Sequence, residues 1–103
     1  MTIVSDDGKF EWDIDKDRTN KRKHQLSFEE VLSVFDDPAF LEIEDKEHSF
    51  YEERFRGIRS LGGTVIITTS FVERGEKIRI INARRATLYE ERIYNENYKK
   101  YFG

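Results

Sequence analysis

The segment Thr64-Val65-Ile66-Ile67-Thr68-Thr69-Ser70-Phe71 carries no charge, in a chain where 38% of residues are Asp, Glu, Lys or Arg. Six of its eight residues are β-branched, so it suits a pleated backbone buried on both faces. Leu61-Gly62-Gly63 before it reads as a turn. Glu73-Arg74-Gly75-Glu76 after it reads as a hairpin, with glycine available for positive φ. A central strand needs neighbours on both sides. Glu52 to Ser60 alternates weakly before it, and Lys77 to Asn82 follows it as a last strand. Ala39 to Glu44 also alternates, with Leu41 and Ile43 facing one way.

Helices are signalled at both ends of this strand run. Phe10 to Trp12 reads as a short strand, after which Asp13 or Asp15 caps a helix running to His24. Ser27-x-x-Glu30 is a capping box, and Phe28, Val31, Leu32 and Phe35 then recur at helical spacing until Asp36-Asp37-Pro38 stops the helix. Thr87-x-x-Glu90 is a second capping box opening a last helix. Residues 1–9 are polar and read as a flexible end. The expectation is one α+β domain over residues 1–103, ordered β-α-α-β-β-β-β-α. Its sheet is mostly antiparallel, with the helices packed on one face.

Composition removes several function classes. There is no cysteine, so disulfides and thiolate metal sites are excluded. The N-terminus lacks a basic region followed by an apolar run, and no apolar stretch is long enough to span a membrane. A cytoplasmic protein with no membrane contact is expected. Two histidines and scattered carboxylates give no metal-ligand spacing, and no cofactor motif is present. The net charge is −3, yet charge is blocked along the chain. Residues 16–24 hold five bases and one acid, residues 25–53 ten acids and one base, and residues 54–87 eight bases and two acids. Such blocks allow separate basic and acidic faces, and a basic face attracts phosphate.

A set of short signatures recurs in fixed order: Phe10-Glu11-Trp12-Asp13, Lys23-His24, Ser27-Phe28-Glu29-Glu30, Val34-Phe35-Asp36-Asp37, Glu53-Arg54-Phe55, and Arg79-Ile80-Ile81-Asn82-Ala83-Arg84-Arg85-Ala86. Together, from about Phe10 to about Tyr94, they resemble the BrnT family of type II toxin–antitoxin toxins. The resemblance implies a RelE-like fold and a metal-independent endoribonuclease that inhibits translation. It also implies neutralisation by a BrnA-like antitoxin with a ribbon-helix-helix domain. Toxin and antitoxin would form a heterotetramer, with operator DNA touched only through the antitoxin. The family usually carries glycine after Lys-His, which suits a left-handed helix cap, whereas this chain has Gln25.

Cleavage of this kind uses the 2′-hydroxyl of one nucleotide against the next phosphate. Guanidinium groups suit the charge that builds on phosphate oxygens. Arg79 and Arg84 lie in the matched Arg-Ile-Ile-x-Ala-Arg segment, and Arg54 lies on an earlier strand. With Lys23 and His24 they are the candidate catalytic residues. Imidazole exchanges protons at neutral pH, and lysine holds phosphate. Arg85, Trp12 and Glu53 are candidate RNA-binding residues, Trp12 as a stacking platform and Glu53 as a partner that orients Arg54. Each has a structural alternative: arginines paired to nearby acids, His24 closing a helix C-terminus, Trp12 in the core. The competing function is a non-catalytic RNA- or protein-binding module of the same fold.

Overall fold

The computed structural model describes residues 1–63 and 65–103; Thr64, the first residue of the expected central strand, lies outside them. Among the described residues six strands form one sheet. They are β1 (Thr2–Val4), β2 (Phe10–Asp13), β3 (Leu41–Glu44), β4 (Arg54–Leu61), β5 (Val65–Arg74) and β6 (Lys77–Arg85), in the spatial order β1-β2-β6-β5-β4-β3. Every neighbouring pair is antiparallel except β2 with β6, which is parallel. The helices are α1 (Ile14–His24) and α2 (Leu88–Phe102). Residues 65–71 of the uncharged segment lie in the inner strand β5, as their composition requires, and Gly75 turns β5 into β6 at φ +60°.

Three features depart from the sequence expectation. The first is the N-terminus, which does not fray. Thr2, Ile3 and Val4 pair with Asp13, Trp12 and Glu11, and Gly8 at φ +74° helps close the hairpin. The Ser5 hydroxyl accepts from the Phe10 N–H and donates to Asp7, so the polar residues are turn chemistry.

The second is the segment after Ser27. Ser27 Oγ accepts from the Glu30 N–H as the capping box predicts, at 3.2 Å. No α-helix follows. Val31, Leu32 and Val34 donate to the carbonyls three residues earlier, and Leu32–Asp36 is a 3₁₀ helix. The packing explains this. Phe28, Val31 and Val34 are all fully buried, and a spacing of three stays in one line at three residues per turn, whereas it drifts around the face of an α-helix.

The third is the layering. Ile67 packs with Val31, Val34 and Ala83, whereas Ile66 packs against the cluster of Ala39, Ile58 and Tyr94. Consecutive strand residues point to opposite faces. The 3₁₀ segment and α2 therefore cover opposite faces, where both helical layers were expected on one. Adjacent isoleucines on an inner strand need cover on both sides, and α2 supplies it through Ile93 and Tyr94.

Helix α1 is highly polar and docks by hydrogen bonds. Asp13, of the two candidate caps, accepts from the N–H groups of Asp15 and Lys16 at 3.1 Å each. Strand β2 stops opposite Ile80, which leaves the β6 edge open beyond it. The buried Asn20 amide closes that edge. Its Oδ1 accepts from the Ala83 N–H at 3.0 Å, and its Nδ2 donates to the Ala83 carbonyl at 2.8 Å and to that of Leu26 at 2.9 Å. One side chain thus stands in for the next residue of a strand. Gln25 then takes the left-handed conformation, φ +57°, where the family resemblance would favour glycine.

Replacing Asn20 with alanine strands the Ala83 and Leu26 backbone groups. The expected cost is about 2–4 kcal/mol, since each buried unsatisfied group costs about 1–3 kcal/mol. Urea unfolding of Asn20→Ala checks this. A loss below about 0.5 kcal/mol, the size of an ordinary surface substitution, would show that α1 is not pinned here.

Candidate active site

Side chains of the three central strands and β2 build a row of charge on the α2 face of the sheet. Val72 of β5 stands opposite both Arg54 of β4 and Arg79 of β6, and Arg79 stands opposite Glu11 of β2. Residues directly opposite share a face. Two residues along, Ser70 stands between Arg56 and Asn82. Two further, Thr68 stands between Ile58 and Arg84. The register is not continuous. Ser70 pairs with Asn82 and Phe71 with Ile80, so Ile81 is an extra residue in β6. This bulge lets Arg79 and Arg84, an odd number of positions apart, share one face.

Three of these arginines, Arg56, Arg79 and Arg84, meet carboxylates. Arg79 pairs with Glu11, and its Nη1 also reaches Thr2 Oγ1 at 3.4 Å. Arg84 donates through Nη1 to Glu90 Oε1 at 2.7 Å and through Nη2 to Oε2 at 3.1 Å. Arg56 lies 3.6 Å from the same carboxylate. Glu90 also accepts from the Thr87 N–H while Thr87 Oγ1 accepts from the Glu90 N–H, which completes the capping box. Burial pushes the Glu90 carboxyl up. The hydrogen bond from Arg84, that from the Thr87 backbone and the Arg84 charge outweigh burial and hold it at about 2. Glu90 is therefore a fixed anion and not a proton carrier at neutral pH.

Beside Arg84, α1 and β6 enclose a cavity of about 510 Å³. Lys16, Thr19, Lys23 and His24 line it from the helix, and Asn82 and Arg84 from the strand. Lys23 and His24 fall on the last turn of α1, and the Asn20 anchor fixes how that turn meets β6. Among the described residues no His, Cys, Asp and Glu side chains gather in threes as metal ligands.

The fold brings Arg84, Lys23 and His24 to one cavity, with Arg54 and Arg79 on the same sheet face. It does not bring the other candidates there. Trp12 is 3% exposed, stands opposite Ile80 and meets Phe28 edge-on at 6.3 Å, so its ring is core and offers no stacking surface. Arg85 follows Arg84 directly, so it points to the opposite face. Glu53 is exposed and touches no arginine among the described residues. Its neighbour Glu52 instead forms a paired contact with Arg74, at 2.7 and 3.2 Å. Arg56, Glu11 and Glu90 were not legible as site residues. Arg56 could have been found by alternation with Arg54. Glu90 was read only as a capping residue.

The displaced Glu90 carboxyl makes stability depend on acid. Its value in the fold, about 2, lies below the ordinary 4.5. The stabilisation is complete above pH 4.5 and is lost as pH falls through about 2. Its size is on the order of 2–3 kcal/mol. Stability curves of wild type and Glu90→Gln, measured by denaturant titration, should converge as pH falls across that range. A gap that stays constant would contradict the assignment.

Comparison with known proteins places the chain in a family. A family model described as "Ribonuclease toxin, BrnT, of type II toxin-antitoxin system" matches residues 12–90. No curated protein matches the chain. Among solved structures, the crystal structure of the Brucella abortus ribonuclease toxin BrnT is similar at 27% identity. The match covers 74% of this chain and 92% of that one, with a TM-score of 0.61. The matched region runs from Trp12, the last core residue of β2, to Glu90, the carboxylate that braces Arg84, and on this match the chain belongs to the BrnT family of ribonuclease toxins of type II toxin–antitoxin systems.

Proposed function

We propose that this chain cleaves RNA as a metal-independent endoribonuclease, with a 2′-hydroxyl attacking the adjacent phosphate. The observation that carries the reading is the cavity shared by Arg84, Lys23 and His24, with Arg84 braced by Glu90. Arg84 spends Nη1 on Glu90 and the Arg85 carbonyl and one Nη2 hydrogen on Glu90. Its Nε–H and the second Nη2 hydrogen have no acceptor among the described residues. That pair is the side-on edge that grips two phosphate oxygens at once. Held in place beforehand, it stabilises the charge that forms as the pentavalent phosphorus is reached, without reorganising. Lys23 and Lys16 add positive charge around the phosphate. We assign proton transfer to His24, because imidazole both takes and gives a proton at neutral pH. Arg54, Arg56 and Arg79 guide the flanking phosphates.

The family implies an RNA substrate and an antitoxin partner. We extend this to a BrnA-like ribbon-helix-helix antitoxin in a heterotetramer that meets operator DNA through the antitoxin. No helix of the described residues is long and apolar enough to cross a membrane.

The free protein should cut single-stranded RNA in EDTA and leave 2′,3′-cyclic phosphate ends, read by end-group analysis. Loss of cleavage with chelator and its return with magnesium would overturn the mechanism. Arg84→Ala should slow cleavage by about 10²–10³ and lower the melting temperature, because Glu90 stays buried without its main partner. His24→Ala should slow it by about 10²–10⁴ at unchanged melting temperature. Full activity in the Arg84 variant would mean that the site lies elsewhere.

A further inference from the structure

Arg59 is on β4 but faces away from Arg56 and Arg84, since it stands opposite Ile67 on the 3₁₀ side. It is 4% exposed. Its guanidinium carbon lies 4.3 Å from the Phe35 ring centre and 4.2 Å from that of Phe40. Among the described residues it forms no ion pair and no side-chain hydrogen bond, and its Nε is buried without an acceptor. A charge in that state is costly, and desolvated cation–π contact, at about 2 kcal/mol or more, offsets part of that cost. The chain nevertheless makes room for it. A Cβ at Gly57 would come 2.7 Å from Arg59 Nε, so the glycine there is what allows the guanidinium to lie flat along the strand.

Arg59 lines a groove of about 830 Å³. The apolar side chains of Leu32, Phe35, Phe40 and Ile78 also line it, and Asp7, Glu29, Asp36, Glu42 and Glu76 add five acids against Lys9 and Arg59. Five carboxylates repel phosphate, so this groove does not continue the arginine face. The occupant must be apolar along its length, basic at its edges, and carry one anionic group where Arg59 waits. A folded or folding protein segment has that chemistry; a nucleic acid does not.

We propose that this groove receives a segment of the antitoxin: one carboxylate of the segment pairs with Arg59, apolar side chains cover the Phe35–Phe40 ledge, and lysines or arginines meet Glu29, Glu42 and Glu76. The inference rests on the reading of the chain as a toxin with a protein antitoxin. The antitoxin is then held on the face opposite the arginines.

The test uses the full chain and its co-expressed cognate antitoxin. Glu29, Glu42 and Glu76 are exposed and lie outside the proposed catalytic set. The triple variant Glu29→Lys/Glu42→Lys/Glu76→Lys should keep wild-type RNA cleavage and weaken antitoxin binding about 100-fold or more, because like charges are then juxtaposed across the interface. Arg59→Lys keeps the charge but loses the forked donor, and should weaken binding more than about 10-fold at a melting temperature near wild type. Isothermal calorimetry at two salt concentrations reads both, with the wild-type affinity falling as salt rises. Wild-type affinity in the triple variant overturns the inference and leaves the toxin reading intact. A wild-type chain that binds no antitoxin overturns both.

Discussion

The buried Glu90 carboxylate is the joint on which the arginine face depends. It closes the N-terminus of α2 through the reciprocal bond with Thr87, takes both Nη groups of Arg84, and lies within ion-pair distance of Arg56. One anion therefore ties a helix start to the ends of two strands. Only two residues, Ala86 and Thr87, separate β6 from α2, so the helix has little freedom to settle elsewhere. One turn later Tyr94 lies on the same side of the helix, and its hydroxyl donates to Asp37 at 2.6 Å. These two attachments fix α2 against the sheet. Burial of Glu90 is tolerable because guanidinium and backbone donors satisfy it. Breaking one partner would leave an uncompensated charge, the costly case for buried pairs.

The same pairing explains how an acidic chain can gather arginines on one face, as the proposed cleavage of RNA requires. The net charge of −3 is a sum over two unlike surfaces. On the α2 face, Glu11 and Glu90 each neutralise part of an arginine, and Arg84 also lines the cavity beside α1. On the opposite face the acids of the 25–53 block stand around Arg59 without such pairing. Screening limits each field to about 8–10 Å, so the faces act separately. Blocked charge along the sequence becomes segregated charge in space because β4 to β6 carry the bases and residues 25–53 before them carry the acids.

The sheet was legible because its signals are local. β-branched composition marked β5, glycine marked its turns, and capping boxes marked both Ser27 and Thr87. The misjudged elements turn on tertiary contacts. Phe28, Val31, Leu32 and Phe35 fit an α-helical stripe, but burial of Phe28, Val31 and Val34 together selected a tighter winding. Residues 1–9 looked like a loose end because their polar groups serve a turn, and only pairing with Trp12 shows β1. At the site, the family pattern pointed to Arg79, Arg84, Lys23 and His24, and the fold gathers them around one face. It could not reveal the Ile81 bulge that brings Arg79 and Arg84 to the same side. Nor could it separate Trp12 as core from Trp12 as platform, since both readings want an aromatic beside a strand. Glu90 was hidden by having two roles in one residue.

In the proposed mechanism Glu90 acts through Arg84, with the carboxylate setting the guanidinium where phosphate charge develops. A double-mutant cycle on the RNA cleavage rate tests this directly. The four proteins are wild type, Glu90→Gln, Arg84→Gln and the double variant, each assayed below its melting temperature. If Glu90 works by holding Arg84, removing it after Arg84 is gone costs nothing more. The double variant should then cleave as slowly as Arg84→Gln alone, with a coupling of roughly 1–3 kcal/mol. Independent, additive losses, or a Glu90→Gln protein that cleaves at the wild-type rate, would contradict it.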